Sequence, residues 1–180
     1  MGNPHHHGEY QLLHATCVAL EHQGVLLLGP SGSGKSDLAL RMIERGAELV
    51  TDDQVELTAD PYGAWAEAPM RLRGLLEVRG IGILRLPYQR QMPVRLVVEL
   101  VKREQLLERL PEPRYYEVLG KAIPMIALHA FEPSAPTKIL FALRAMAQGN
   151  CIEGALTPEA SEVHEGQINL FETLSGHLTD

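Results

Sequence analysis

Two cysteines, Cys17 and Cys151, are all that 180 residues hold. They exclude a disulfide framework and suit a reducing cytoplasm. Positive charge is scarce as well. Sixteen Lys and Arg stand against 23 Asp and Glu, a net charge of −7. Nucleic-acid binders need a basic footprint, so that class is not expected, and any phosphate site must be a local positive pocket in an acidic protein. No apolar run reaches the roughly 18 residues that cross a bilayer, and no secretory signal is visible, so no membrane partner is expected. Met1-Gly2 matches the start of a myristoylation signal, but His6 stands where Ser or Thr is required. There is no internal repeat and no low-complexity segment. What remains is 45% apolar and 22% charged, ordinary for a soluble globular chain and long enough for one domain with a real core.

The chain is organised around Gly29-Pro30-Ser31-Gly32-Ser33-Gly34-Lys35-Ser36. This stretch fits G-x-x-x-x-G-K-[ST], the phosphate-binding P-loop. Four apolar residues, Val25 to Leu28, run into it, and a helical pattern, Asp37 to Arg45, runs out. The glycines let backbone N–H groups curl inward around a phosphate, and the following helix adds its positive end. Lys35 is expected to reach the outer phosphates and Ser36 to offer a hydroxyl to Mg²⁺.

Around that centre the pattern reads in order. Residues 1–9, with His5, His6 and His7, are expected to be a disordered end without function, with a weak metal-binding tract as the alternative. Tyr10 to Leu20 is a strand that carries His14. Glu21 to Gly24 turns back into the Val25–Leu28 strand. An amphipathic helix over Ser36–Arg45 ends at Gly46, and Glu48 to Thr51 is a strand ending at Asp52-Asp53. A strand–helix–strand crossover makes the two strands parallel, so both acids arrive on the edge that holds the P-loop. Beside a P-loop, carboxylates serve Mg²⁺ and an attacking hydroxyl. A hairpin turns at Asp60–Gly63. Gly74 to Leu84 is an apolar run holding Glu77 and Arg79, either an internal ion pair or a loop facing metal and phosphate. Pro87–Pro93 is a linker and Val94–Val101 a strand buried on both faces. Lys102–Leu110 is short and polar, with helical character. Arg114–Gly120 is a loop or short strand and Ala122–Leu128 a strand. Phe131–Thr137 is a tight loop, Lys138–Gln148 a helix, and 151–180 an acidic extension.

Four of these stretches together resemble the catalytic domain of HPr kinase/phosphorylase. They are His14, 21 residues before Lys35; Gly29 to Ser36; Leu49-Val50-Thr51-Asp52-Asp53-Gln54-Val55-Glu56; and Leu76-Glu77-Val78-Arg79-Gly80-Ile81-Gly82-Ile83. The last is the family's distinctive signature. The resemblance implies an α/β P-loop kinase domain of the phosphoenolpyruvate carboxykinase type, a mixed sheet with flanking helices, over residues 10–150. It implies ATP and Mg²⁺ as cofactors, a serine of the phosphocarrier HPr as substrate, and a homo-oligomer, a hexamer in the family. By position, Asp53 is the catalytic carboxylate, His14 its neighbour, and Lys35 the phosphate holder. Ser36 and Glu77 serve the metal, Arg79 belongs to the signature loop, and Arg109 or Arg114 is the family's later catalytic arginine; Asp52 joins the metal set from its place beside the loop. Three departures accompany the likeness. A long N-terminal domain is absent from the sequence, as in short bacterial forms. Pro30 stands where an acidic residue is common. The arginine-rich V-R-P-G-R stretch has as its nearest counterpart Phe131 to Lys138, where Lys138 alone is positive. Phosphorolysis is therefore expected to be weaker than the kinase reaction. An ATP-binding regulator and a kinase of another protein are the alternative readings.

Overall fold

Strand β3 (Gln23–Leu28) sits inside the sheet because its apolar residues are needed on both faces. The computed structural model describes residues 9–158. Beside β3 on one side, antiparallel, runs β2 (Thr16–Leu20) with Thr16 opposite Leu27. On the other side, parallel, runs β9 (Gln91–Leu100). Strand β4 (Glu48–Thr51) pairs antiparallel with β2. It therefore points the same way as β3 but is separated from it by β2. The crossover through α1 (Lys35–Glu44) brings the chain back two places away.

Two hairpins and one further strand complete the sheet. The β5 (Val55–Asp60) and β6 (Gly63–Glu67) hairpin joins β9 through Trp65 opposite Pro93. The β10 (Arg114–Val118) and β11 (Lys121–Leu128) hairpin joins the later half of β9, with β11 parallel to it. Strand β1 (Gln11–Leu13) closes the far edge against β5. Strand β9 thus serves β6 with its first residues and β11 with its last. A separate two-stranded sheet holds β7 (Leu75–Val78) and β8 (Gly82–Arg85).

Period-two alternation divides the core. Val18, Val25, Leu27, Leu96 and Val98 face α1 and α2 (Ala135–Gln148), meeting Leu38, Met42, Ile139 and Leu143. Cys17, Leu26 and Val97 face the other way, where the sheet curls over itself with Leu57, Ala66 and Ile123. Leu76 and Val78 of the small hairpin pack on Leu49, Leu40 and Ile43. That contact clamps the hairpin against α1 and β4. The result is a mixed α/β fold. Among the described residues no helix is long and apolar enough to cross a membrane.

Several expectations need correction. Tyr10–Leu20 is two strands, broken at His14-Ala15, because β1 pairs with β5 while β2 pairs with β3 and β4. The linker shrinks, since β9 starts at Gln91 and tolerates Pro93 where its partner changes. Lys102–Leu110 forms turns and no helix. Helix α2 begins at Ala135, with Pro136 in its first turn, where a missing N–H leaves no bond unmade. Helix α1 ends at Glu44, and Gly46 (φ 97°) lies just beyond, with Ala47 N–H bonded to Met42 O and Gly46 N–H to Ile43 O. The expectations for residues 1–8 and 159–180 lie outside the described residues. From 151 to 158 the chain makes turns.

Candidate active site

The parallel strands β3, β4 and β11 all end on one edge of the sheet, and antiparallel β2 begins there. The glycine loop leaves β3, Asp52 and Asp53 leave β4, and Phe131 follows β11. His14 and Thr16 stand at the start of β2. A cavity of about 580 Å³ opens at this edge.

Helix α1 begins without a side-chain cap, at Gly34, whose φ is 97°. Its first N–H donors are therefore free for an anion, and the helix end adds its positive field. Only glycine fits at Gly34. A Cβ there would stand 2.8 Å from Ala130 Cβ and 2.9 Å from the Phe131 ring. Ser31, Gly32, Gly34, Lys35 and Ser36 line the cavity, while Gly29, Pro30 and Ser33 do not. The Lys35 ammonium folds back and donates to Gly29 O at 2.7 Å and Pro30 O at 3.1 Å. Burial holds its pKa below the ordinary lysine value, while Asp52 and Asp53 pull it back up.

Asp52 is almost fully buried, at 6% exposure. A buried carboxylate needs several donors. Thr16 Oγ1 donates at 2.7 Å, Ser36 Oγ sits 3.0 and 3.1 Å from its two oxygens, and the Glu77 N–H points at Oδ2 from 3.4 Å. Asp53 is in another environment. Its φ of 71° turns the chain sharply, so the neighbouring carboxylates part. Asp53 faces the cavity more than half exposed, 3.2 Å from His14 Nδ1. The break between β1 and β2 is what lets His14 leave the sheet and reach it.

Glu77 and Arg79 both line the cavity and make no pair with each other or with another side chain among the described residues. The internal-pair reading of this stretch is thus set aside in favour of the cavity-facing one. Arg109 is exposed and does not line the cavity, and Arg114 is bound to Glu99 at 3.0 Å. The structure brings neither arginine to the site. Two residues that bear on the site, one through Asp52 and one in the cavity lining, escaped the sequence reading. Thr16 is fully buried in β2, and Phe131 is exposed beside Gly34. Thr16 gave one signal, a hydroxyl in an otherwise apolar strand.

Among the described residues no cluster of three His, Cys, Asp or Glu could hold a metal by itself. The Ser36 hydroxyl with the Asp52 carboxylate is a two-member hard-oxygen set. That suits Mg²⁺, which keeps its waters and shares itself with phosphate oxygens.

A family model described as HPr Serine kinase C-terminal domain matches residues 6–150. The HPr kinase/phosphorylase of Leptothrix cholodnii is 39% identical over 135 residues, covering 68% of this chain and 42% of that protein. The HPr kinase/phosphorylase of Cupriavidus necator is 39% identical over 126 residues, covering 64% and 39%. The chain therefore spans about two fifths of the length of these relatives. The solved structure of the Hpr(Ser) kinase/phosphatase from Coxiella burnetii aligns with a TM-score of 0.68 at 29% identity, over 77% of this chain and 92% of that one.

Proposed function

The chain belongs to the HPr serine kinase C-terminal domain family, and on that premise we propose that it is the catalytic unit, residues 10–150, of an ATP- and Mg²⁺-dependent kinase acting on a serine of HPr. The observation that carries the reading is the division of labour between Asp52 and Asp53. One carboxylate is buried against Ser36, where a metal ligand belongs, and its neighbour is open to the cavity, where a base belongs. The finer fold assignment, a P-loop domain of the phosphoenolpyruvate carboxykinase type, rests on the glycine loop and on the mixed sheet.

Loop N–H groups and the α1 terminus hold the phosphates, and Lys35 exchanges its two loop carbonyls for phosphate oxygens. Ser36 and Asp52 would hold Mg²⁺, with Glu77, which lines the cavity beside Asp52, as a further oxygen, and the ion would supply charge compensation to the phosphates. Asp53 accepts the proton of the incoming serine hydroxyl, and His14 Nδ1 fixes the carboxylate toward it. Arg79 faces the cavity as a positive charge for the phosphoryl group in transfer. The reverse, phosphorolytic reaction returns the proton from Asp53. It is the weaker direction here, because Lys138, the one cation of the Phe131–Lys138 stretch, is engaged by Glu132. The phosphocarrier partner and a hexameric homo-oligomer complete the proposal by family analogy, as does a cytoplasmic setting.

The test is Asp53→Asn with labelled ATP, Mg²⁺ and HPr. Asn tolerates the left-handed backbone at this position, so the fold is preserved. Transfer is expected to fall by about 10²–10⁴-fold, the scale of a lost general base, while ATP affinity stays within about threefold, the scale of a distant charge change. Transfer that survives the substitution overturns the assigned base. ATP binding with no transfer by the unaltered chain points to a regulator instead.

A further inference from the structure

We propose that Phe131 is the platform on which the nucleobase of the phosphate donor stacks, an inference that rests on the reading of the cavity as a nucleoside triphosphate site. Three observations carry it.

The first is exposure on a fastened loop. Phe131 is 68% exposed and lines the cavity. An apolar ring held in water is unfavourable unless something covers it. Yet the loop that carries it is fastened on both sides. The Arg41 guanidinium donates to the carbonyls of Ala130 and Glu132, the two neighbours of Phe131. His129 contacts Gln105 O at 2.9 Å and Glu132 at 3.1 Å. The ring tip rests against Gly34. A rigid aromatic face presented to a cavity is pre-organised for a flat partner.

The second is position. In the sheet, β11 lies beyond β9 on one side of β3, and β2 and β4 lie on the other. His14, Asp52 and Asp53 therefore flank the glycine loop from one side and Phe131 from the opposite side. A nucleoside triphosphate has two different ends. If its reacting phosphate lies toward Asp53, its base leaves the loop toward β11.

The third is chemistry. The carbonyls on either side of the ring are occupied by Arg41, and both His129 nitrogens are occupied too. The loop thus offers a stacking face with few groups left to read a base edge. Stacking needs only a π-face, which every base has.

The experiment compares Mg²⁺-ATP with Mg²⁺-tripolyphosphate, which has the phosphates and no base, by calorimetric titration of the unaltered chain, Phe131→Ala and Phe131→Trp. Phe131→Ala is expected to weaken ATP by about tenfold, in line with loss of one stacked base, and to leave tripolyphosphate within about twofold. Phe131→Trp is expected to retain ATP binding. Equal losses for both ligands would show that the ring only braces the glycine loop, and would overturn the proposal. So would an unchanged ATP affinity, including the case where only the KM for the acceptor protein rises and the ring belongs to that partner. Binding of neither ligand by the unaltered chain overturns the triphosphate reading and this subsite with it. Binding of both, with no base-specific loss in Phe131→Ala, removes the subsite alone.

Discussion

Thr16 shows how much a single buried hydroxyl can carry. It has no exposed surface, and its Oγ1 lies 2.7 Å from Asp52. A hydrogen bond to a charged group contributes about 1.5–3 kcal/mol, and its loss leaves the carboxylate short of a donor. Valine fills the same volume without the hydroxyl. Thr16→Val is therefore expected to destabilise the fold by about 1–3 kcal/mol and, under the proposed function, to raise the Mg²⁺ needed for half-maximal transfer by about tenfold, because Asp52 loses its orientation. Thr16→Ser should restore the metal requirement. Activity titrated against Mg²⁺, with thermal melts alongside, checks this. A melt that falls while the Mg²⁺ requirement stays fixed would reduce Thr16 to packing. The contrast with Asp53 was only partly readable from sequence. Two adjacent acids at a strand end could be placed beside the phosphate loop. Which one is buried depends on β2 lying next to β4, and no local pattern announces that.

At the scale of an element, the β11–α2 loop is latched by charge. His129 Nδ1 faces Glu132 and Nε2 faces the Gln105 carbonyl. Only the doubly protonated imidazole can donate to both. Its pKa is accordingly raised above the ordinary 6.5, first by the Gln105 carbonyl and then by Glu132, while burial and Lys138 oppose. Glu132 is held below its ordinary 4.5 by Lys138 and then His129, with burial opposing. The signs set a window. The His129 contribution is complete below the unfolded imidazole value and is lost as pH rises through its folded value. The Glu132 contribution is present above the unfolded carboxyl value and is lost as pH falls through its folded value. The latch is therefore complete between the two unfolded values and loosens on the alkaline side. NMR titration should find the His129 ring protonating at higher pH than a free histidine, with faster amide exchange at Ala130 and Phe131 once it deprotonates. A His129 that titrates at or below the ordinary value would contradict the latch. The elements with one local rhythm, such as α1 and β3, were legible from sequence. The segment 102–110 was not, because its polar spacing imitates a helix while its Gln105 carbonyl is tied to His129, 24 residues away.

Across the whole molecule, an acidic chain of net charge −7 gathers its glycine loop, Lys35 and Arg79 around one cavity at a sheet edge. The glycine loop and its helix were legible because strand, turn and helix follow one another directly. The α/β class and the siting of both acids followed from that unit. The sheet's branching at β9 and the independence of the β7–β8 hairpin were not legible, since both depend on pairings between distant segments. Strand β2 joins these levels. It runs antiparallel between β3 and β4 and delivers His14 and Thr16 to the edge where its neighbours end. Strand side chains alternate faces with a period of two, so β2 acts as a ruler whose length is frozen. Deleting Val18 would exchange the faces of its neighbours and draw Thr16 about 3.3 Å from Asp52, one strand step. Two residues added at the Glu21-His22 turn, at the opposite end of the strand, leave that register untouched. Thermal melts of the two variants should show an unfolded or strongly weakened deletion and a near-normal insertion, and similar losses in both would refute the ruler. Tolerance to length change in this protein is thus polarised. Evolution and engineering are free to lengthen the edge remote from the cavity, while each residue between His14 and Leu20 is counted.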